Sequence, residues 1–153
     1  MIDQSIPMHN HEAEQSVIGG LMLACQSGDV KRISAVTGLV KPASFYSAPH
    51  RIIYEQILHM LAGGHSVDLL TLSQRITAIG EDDRSGGMAY LVEVMKNTPS
   101  AANVVVYARI VRDYAVRRFT LGKLNDSIEL LCTQQGDSVT DQITAIHGIL
   151  AEI

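Results

Sequence analysis

The sequence predicts an all-α protein in which a small globular helical head is followed by a long antiparallel helical hairpin. Apolar residues recur at helical spacing along nearly the whole chain and seldom alternate, which favours helices over strands. With no Trp, two Phe and five Tyr, the core must consist mainly of aliphatic side chains. The last third carries a heptad pattern, which is typical of helices that pair along their length. We place the head at residues 1–99 and the hairpin at residues 100–153.

Length and composition are those of a soluble, folded protein. The 153 residues suffice for one domain with an appendage, and they can bury a core without disulfides. The formal net charge of −4 argues against a surface that binds nucleic acid over its whole extent. Cys25 and Cys132 match no C-x-x-C spacing, so reduced thiols are expected. Neither a signal peptide nor an apolar run of about 18 residues is present, and we therefore expect a cytoplasmic protein without a membrane segment.

The first helix is predicted over residues 10–24. Asn10 is a favourable N-cap, and Glu12 and Glu14 lie in the first turn, where the helix dipole favours negative charge. The pair Gly19-Gly20 falls in the middle of this helix, where each glycine costs up to about 1 kcal/mol relative to alanine. Such a cost indicates that another part of the chain packs closely against these two positions.

Further helices are predicted along the head, each bounded by capping residues or by glycine. A short polar loop, EDDRSGG, separates the last two of them. The predicted segments are residues 29–36, a brief helical turn at 42–45 that starts with Pro42, residues 49–61 with Ser47 as the cap, a helix that starts between Asp68 and Thr71 and stops at Gly80, and residues 88–97.

The final third of the chain begins with a long heptad helix. We predict it from Ser100 to Cys132, because this stretch contains no proline and a single glycine. A helix of about 30 residues would be roughly 45 Å long, which is more than a small head can cover. Its ladder, spaced alternately by three and four residues, comprises Tyr107, Ile110, Tyr114, Arg117, Leu121, Leu124, Ile128 and Leu131, with Arg117 as the one polar step.

A second heptad helix follows a short turn. TQQGDS is the predicted turn, with Gly136 ending the first helix, and Ser138 with Asp141 forms an S-x-x-D capping box. The ladder then continues through Val139, Ile143, Ile146, Leu150 and Ile153. We interpret the two arms as an antiparallel hairpin that serves as an association surface. Arg117 would set its register, since a polar residue at a core heptad position restricts how helices can pair.

No pattern in the sequence is typical of a catalytic or metal site. HNHE near the N-terminus could begin a metal site, or it could be the polar lead-in to a helix. A zinc site needs three or four convergent ligands, and neither H-E-x-x-H nor a Cys/His cluster supplies them. We therefore interpret His9 and His11 as capping and surface residues. Gly122-Lys123 lacks the other residues of a phosphate-binding loop, so we assign no catalytic residue, cofactor or metal to this chain.

Basic residues are concentrated on the long predicted helix. Arg109, Arg112 and Lys123 are the candidates for contact with nucleic acid or with a partner. They could line a nucleic-acid channel; alternatively, they form a solvated flank or pair with acidic residues of a partner protein. We favour the second interpretation, because a solvated flank is the usual environment of such residues.

Two stretches resemble the N-terminal domain of bacterial DnaB-type replicative helicases. HNHEAEQSVIGGLML is similar to the opening helix of that family, and GGMAYLVEVMKNTPSAANVVVYARIVRDYAVRR is similar to a later segment with Asn-Thr-Pro-Ser-Ala-Ala-Asn at its centre. FYSAPHRIIYEQI and VDLLTL lie between them and match in kind and order. The resemblance covers about residues 7–118 and is specific, because several unusual strings occur in the same order. Beyond it, the tail matches only as a helical hairpin.

The resemblance implies a role as the N-terminal collar of a hexameric replicative DNA helicase. In that family the hairpins pair two subunits, and three such dimers form a collar that supports the ring and meets primase and helicase loaders. It therefore implies self-association as a dimer or a trimer of dimers, with primase and a helicase loader as partners, and contact with DNA only weakly or through the complete ring. The ATPase motor of the family, which uses ATP and Mg²⁺, lies downstream of this domain.

Two interpretations of the chain remain open. Ile153 completes a step of the ladder without a C-cap glycine, a basic last turn or a proline, as expected of a helix cut from a longer protein that continues into a linker and an ATPase motor. The alternative is a stand-alone phage- or plasmid-type helicase loader or inhibitor built on the same domain. A coding frame that continues past Ile153 would favour the first interpretation, and a stop codon there would favour the second.

The lack of a phosphate-binding loop in this sequence predicts that the purified chain does not hydrolyse ATP. Release of inorganic phosphate in the presence of ATP and Mg²⁺ should stay at the level of a protein-free blank. Turnover that is stoichiometric with the protein would reveal an ATPase site and would contradict the interpretation of the chain as a non-catalytic domain.

Overall fold

Helices form the regular structure of residues 8–133 and 138–153, the parts of the chain that the structure, a computed structural model, describes. The elements are α1 (His11–Ser27), α2 (Val30–Leu39), a 3₁₀ turn (Pro42–Ser44), α3 (Ala48–Ala62), α4 (Leu69–Ala78), α5 (Asp82–Ser85), α6 (Gly87–Asn97), α7 (Val104–Cys132) and α8 (Val139–Leu150). The predicted all-α fold class is confirmed. Within the described ranges, no helix is both long enough and apolar enough to span a bilayer.

The chain divides into two compact units within α7. The head unit is Met1–Ala115 and the hairpin unit is Val116–Ile153. We predicted the division between residues 99 and 100, ahead of the long helix. In the structure the division falls later, after Ala115, because the first turns of α7 belong to the head. Val104, Ala108 and Val111 of these turns are buried in the head core.

α1 is the central helix of the head and packs against α2, α3 and α6. Its buried face includes Val17, Ile18 and Leu21, which are fully shielded from solvent. The rings of Phe45 and Tyr54 join this largely aliphatic core, with their centroids 4.8 Å apart. Burial raises the pKa of Tyr54 to about 12, so its hydroxyl stays protonated at neutral pH.

Side-chain caps start three head helices where the sequence predicts them. Asn10 Oδ1 accepts a hydrogen bond from the Ala13 N–H at 3.0 Å and so caps α1. Asp29 and Asp68 cap α2 and α4 in the same way. We predicted that α2 ends before Gly38, but the helix continues through this residue to Leu39. A glycine near the end of a helix costs only about 1 kcal/mol, so it does not stop the helix.

The polar segment EDDRSGG contains the helical turn α5, and the prediction of a loop there was wrong. Ser85 explains the difference. It is buried, and its hydroxyl donates to the Asp82 C=O at 3.3 Å and accepts from the Gly87 N–H at 3.1 Å. Gly86 and Gly87 then lead into α6 with φ values of 83° and 60°, a region that favours glycine.

Two glycines of α1 allow other segments of the head to approach it closely. A Cβ atom on Gly19 would lie 2.1 Å from Thr98 Oγ1, and one on Gly20 would lie 2.6 Å from Val104 Cγ2. Thr98 is buried, and its hydroxyl donates to the Val94 C=O at 2.8 Å, so its side chain cannot rotate away without losing that bond. The predicted close packing at these glycines is confirmed.

Gly19→Ala should lower the free energy of unfolding by about 1–3 kcal/mol, because the new methyl group would overlap the Thr98 side chain. Gly38→Ala is the matched control: Gly38 is also helical but exposed, and a methyl group there would meet no packed neighbour within 4 Å. The control should be neutral or stabilising by up to about 1 kcal/mol. Urea denaturation measures both changes, and a Gly19→Ala variant as stable as the parent would contradict the close packing.

Candidate functional site

The end of α7 and the whole of α8 form an antiparallel hairpin within the hairpin unit. Gln142 Nε2, in the first turn of α8, donates to the backbone carbonyls of Leu130 and Thr133 at 3.2 Å each. Close to the end of α8, Glu152 accepts a hydrogen bond from Lys123, earlier on α7. Because contacts later on α8 are made with residues earlier on α7, the two helices run in opposite directions. The predicted hairpin is confirmed.

The start of α8 is capped as predicted, while the turn before it lies outside the described residues. The Ser138 hydroxyl accepts a hydrogen bond from the Asp141 N–H at 3.2 Å. The same hydroxyl also approaches the Asp141 carboxylate at 2.6 Å, to which it donates. The part of TQQGDS that contains Gly136 belongs to residues 134–137, so its proposed helix-ending role stays a prediction.

The seam of the hairpin, meaning the side chains shielded where the two helices pack, combines polar and apolar residues. Ser127 is the most buried of them, and its hydroxyl donates to the Lys123 C=O at 2.8 Å. The other shielded or half-shielded seam residues are Thr120, Lys123 and Leu130 on α7, and Gln142, Ile146 and Ile149 on α8. Apart from Ile146, none of these residues belongs to the predicted heptad ladder.

Apart from Ile146, the ladder residues of the hairpin unit lie outside the seam. Leu124 is 43% exposed and Ile128 is 53% exposed on α7, and Ile143 is 45% exposed on α8. We call the apolar ladder residues of α7 and α8 that belong to this unit and extend outside the seam the hairpin face: Leu121, Leu124, Ile128, Leu131, Val139, Ile143 and Leu150. Leu121 is half-buried and the others are exposed.

Both arms place the hairpin face on the same side. On α7, Leu124 follows the seam residue Lys123 and Ile128 follows Ser127, while on α8 Ile143 follows Gln142. One step along a helix rotates the side-chain direction by about 100°. Because the helices are antiparallel, this equal rotation brings both arms of the ladder to one side of the pair. The result is one apolar surface built from two helices.

The earlier part of the ladder belongs to the head unit. Tyr107, Ile110 and Tyr114 are half-buried there, and Tyr107 and Ile110 pack against the head core. Tyr107 and Ile110 therefore contribute to the fold of the head, and the association role of all three residues stays a prediction. Arg117 is an exposed residue of the hairpin unit, and its role in setting register stays a prediction.

The three basic candidates have different environments. Arg109 and Arg112 are exposed residues of the head unit. Lys123 belongs to the hairpin unit, where its ammonium group is hydrogen-bonded to Glu152, and this bond raises the pKa of Lys123. The charge of Lys123 is thus matched within the hairpin itself.

The histidines of HNHE lie beside other rings of the head. His9 stacks on Tyr46 with a centroid distance of 4.1 Å, and the His11 ring lies 5.0 Å from that of His50. Asn10 between them caps α1. Across residues 8–133 and 138–153, the His, Cys, Asp and Glu side chains form no group of three or more that could hold a metal ion.

A buried polar cluster that the sequence analysis did not identify joins α1, α3 and α6. Its centre is His50, which is fully buried. His50 Nδ1 lies 2.7 Å from Glu14 Oε2, and His50 Nε2 lies 2.7 Å from the Tyr90 hydroxyl. One signal for it was present in the sequence, because Glu14 is spaced by three and four residues from Val17 and Ile18 on the apolar stripe of α1.

Glu14 also binds the backbone that leads into α3, and the prediction of Ser47 as the side-chain cap of this helix was wrong. The Ser47 side chain makes no capping hydrogen bond. Instead, the Glu14 carboxylate accepts the backbone N–H groups of Tyr46 and Ser47, at 2.6 and 3.2 Å. A carboxylate from α1 thereby satisfies donors that precede the first turn of α3, where negative charge is favoured.

The hydrogen bonds of Glu14 decide its charge. Burial alone would raise the pKa of this carboxyl group, but the bonds from His50, Tyr46 and Ser47 outweigh burial and lower the pKa below its ordinary value of 4.5. The group is therefore a carboxylate at neutral pH, with its two oxygens occupied by donors from the protein. This arrangement fixes α1 against α3 and leaves the carboxylate little capacity for chemistry.

Glu14→Gln should destabilise the head by about 1–3 kcal/mol at neutral pH, because an amide cannot accept at both positions. The stability that comes from a lowered pKa is present above the ordinary value of 4.5 and is lost as the pH falls through the folded-state pKa. The difference between parent and variant in urea denaturation should therefore shrink at acid pH. Glu12→Gln, an exposed change in the same turn, is the control and should have little effect on stability. If Glu14→Gln lowers the free energy of unfolding by the same amount at every pH, the ionised, hydrogen-bonded carboxylate is contradicted.

Comparison with known proteins matches this fold and sequence to one family. Residues 6–113 match the family model described as DnaB-like helicase N terminal domain. The chain is 37% identical over 135 residues to the replicative DNA helicase DnaB of Haemophilus influenzae, and 36% identical over 136 residues to that of Pasteurella multocida. These alignments cover 88% and 89% of this chain but only 28% of each relative, so the chain spans little more than a quarter of their length.

Solved structures give the same result. The N-terminal domain of DnaB helicase from Mycobacterium tuberculosis aligns with a TM-score of 0.85 at 26% identity, covering 97% of this chain and all of that one. A structure of a DnaB-like replicative helicase and its interactions with primase aligns with a TM-score of 0.72, covering 94% of this chain and 31% of that one. At 23% identity, this second match shows the shared fold alone. The resemblance found in the sequence is confirmed, and the chain belongs to the family of DnaB-like helicase N-terminal domains.

Proposed function

We propose that this chain acts as the N-terminal collar domain of a hexameric replicative DNA helicase, in which the hairpin face pairs with the same face of a second copy. The observation that carries this proposal is the hairpin face itself. It collects exposed apolar side chains of α7 and α8 on one side of the hairpin, in a member of a replicative helicase domain family.

A second hairpin is the partner that best fits this surface. Contiguous apolar side chains in water mark a binding surface, because their contact with water is unfavourable. Heptad spacing on both arms suits a partner that is itself helical. A second copy supplies the same spacing, and a twofold axis would bring the same apolar patch of both copies into contact. The resulting four-helix arrangement would take its register from Arg117.

Ring assembly and the further partners extend this proposal. Three such dimers would make the collar of a hexameric ring, with primase and a helicase loader as its protein partners. Support for primase comes from the solved DnaB-like replicative helicase, which was described together with its interactions with primase. DNA unwinding with ATP and Mg²⁺ is proposed for the complete protein in the cytoplasm, since the relatives are more than three times as long as this chain. Contact with DNA would occur through the complete ring.

The alternative of a stand-alone helicase loader or inhibitor gains no support from the relatives described above. Those relatives are replicative helicases, and each alignment covers most of this chain. A collar within a helicase accounts for the family membership and the exposed hairpin face together.

Ile128→Asp should shift the chain from dimer to monomer, because the change places a charge at the middle of the hairpin face. Ile128 is 53% exposed, so the folded monomer loses little buried area through this change. Sedimentation equilibrium over a range of concentrations measures the effect, and we expect the dissociation constant to rise at least about 100-fold, a loss of roughly 2.7 kcal/mol.

Asn125→Asp is the matched control for this experiment. It adds the same charge on α7 at an exposed position outside both the seam and the hairpin face, and it should leave the dissociation constant within about twofold of the parent. Circular dichroism should give both variants the helix content of the parent. A parent chain that stays monomeric at high micromolar concentration, or an Ile128→Asp variant that associates as well as the control, would refute the proposed pairing.

A further inference from the structure

A pocket of about 490 Å³ opens on the head unit between the end of α3 and the start of α4. Its volume is in the range of pockets that hold small ligands, roughly 300–1,000 Å³. The lining residues are His59, Met60, His65, Ser66, Thr71, Gln74 and Arg75. Neither the hairpin face nor the buried cluster around His50 includes any of them, so the pocket is a separate feature of the head.

The walls of the pocket are held by local hydrogen bonds. The His65 N–H donates to the Met60 C=O at 2.9 Å, which closes the turn after α3. The His65 ring lies over Gly63, where a Cβ atom would come within 2.8 Å of His65 Cδ2. At the start of α4, Asp68 and Thr71 form a reciprocal capping box with bonds of 2.8 and 3.0 Å. The pocket is therefore largely preformed.

The charged group of the pocket is Arg75, whose guanidinium is held in place by a buried side chain. Arg75 Nε donates to Gln56 Oε1 at 3.0 Å, and the Gln56 side chain is buried. This bond uses the inner edge of the guanidinium and leaves the Nη1 and Nη2 groups for another acceptor. Among residues 8–133 and 138–153, no carboxylate forms an ion pair with Arg75. An arginine held in this way is suited to bidentate binding of a carboxylate, because part of its conformational entropy is already lost.

The remaining lining residues select the kind of anion. The lining contains two histidines and no aspartate or glutamate, so nothing in it repels a negative group. Met60 is almost fully buried and adds an apolar surface beside the polar groups. The net charge of −4 disfavours a long phosphate polymer, whose binding depends on many cations. A short acidic segment with apolar residues satisfies all three conditions.

We propose that this pocket binds an acidic peptide segment of a protein partner, with a glutamate or aspartate carboxylate on Arg75 and a neighbouring apolar side chain against Met60. Gln56 acts as a positioning residue that holds the guanidinium. The partner is identified here by its chemistry alone, and the site does not depend on whether the hairpin face pairs with a second copy.

Two-dimensional ¹H–¹⁵N NMR of the whole 153-residue chain tests this site directly. The probe is the peptide acetyl-Leu-Glu-Leu-Glu-amide, compared with its Gln analogue, inorganic phosphate and single-stranded oligothymidylate. We expect the acidic peptide to shift the amide signals of residues 59–75 and the Arg75 side-chain signal, and the Gln peptide to leave them unchanged. Arg75→Gln should weaken binding by about tenfold or more, the loss of one charged hydrogen-bond pair.

Arg84→Gln is the control, because Arg84 is an exposed arginine of the same unit that is paired with Glu81. It should bind the acidic peptide like the parent. The proposal is overturned if the acidic peptide produces no shifts at millimolar concentration, or if Arg75→Gln binds it unchanged. It is also overturned if phosphate or oligothymidylate binds the pocket more tightly than the peptide, since the site would then be one for phosphate groups.

Discussion

The close approach of α7 to α1 at Gly20 is the contact on which the organisation of the chain depends. Val104 fills the space that a side chain at position 20 would occupy, and Ala108 and Val111 follow it into the same core. One helix thus completes the head and continues as the first arm of the hairpin. Gly20 therefore admits the helix whose later turns form the first arm of the hairpin.

In the hairpin unit, one side of each helix packs against the other helix, and the neighbouring side is exposed for association. Its seam combines the hydrogen-bonding side chains of Ser127 and Gln142 with apolar ones such as Ile146. The residues of the hairpin face lie one step further around each helix, where they remain in contact with solvent. A hairpin that shielded all of its apolar side chains in its own seam would have none left with which to bind another chain. Because polar side chains occupy part of the seam, the exposed hairpin face remains available for association, which is the basis of the proposed collar function.

Local signals in the sequence sufficed for most of the helices. Capping residues such as Asn10 and Asp68 act through neighbours three residues away, so their effect can be predicted without knowledge of the fold. Features that join distant segments could not be predicted in this way. The hydrogen-bond partners of Glu14 lie more than thirty residues further along the chain. The heptad pattern predicted the two helices of the hairpin, but it did not predict which of their faces would be shielded. The pocket at Arg75 likewise requires α3 and α4 to be positioned together by the core.

Solvent contact of the hairpin face as a function of protein concentration is the most direct test of the proposed association. With isoleucine methyl groups isotopically labelled, a soluble gadolinium chelate broadens the NMR signals of those methyls that it can reach. Our account predicts that Ile128 and Ile143 are broadened in dilute solution and become protected as the concentration rises, whereas Ile79, an exposed residue of the head, stays broadened throughout. Ile128 and Ile143 signals that remain as accessible as that of Ile79 at every concentration would contradict the account.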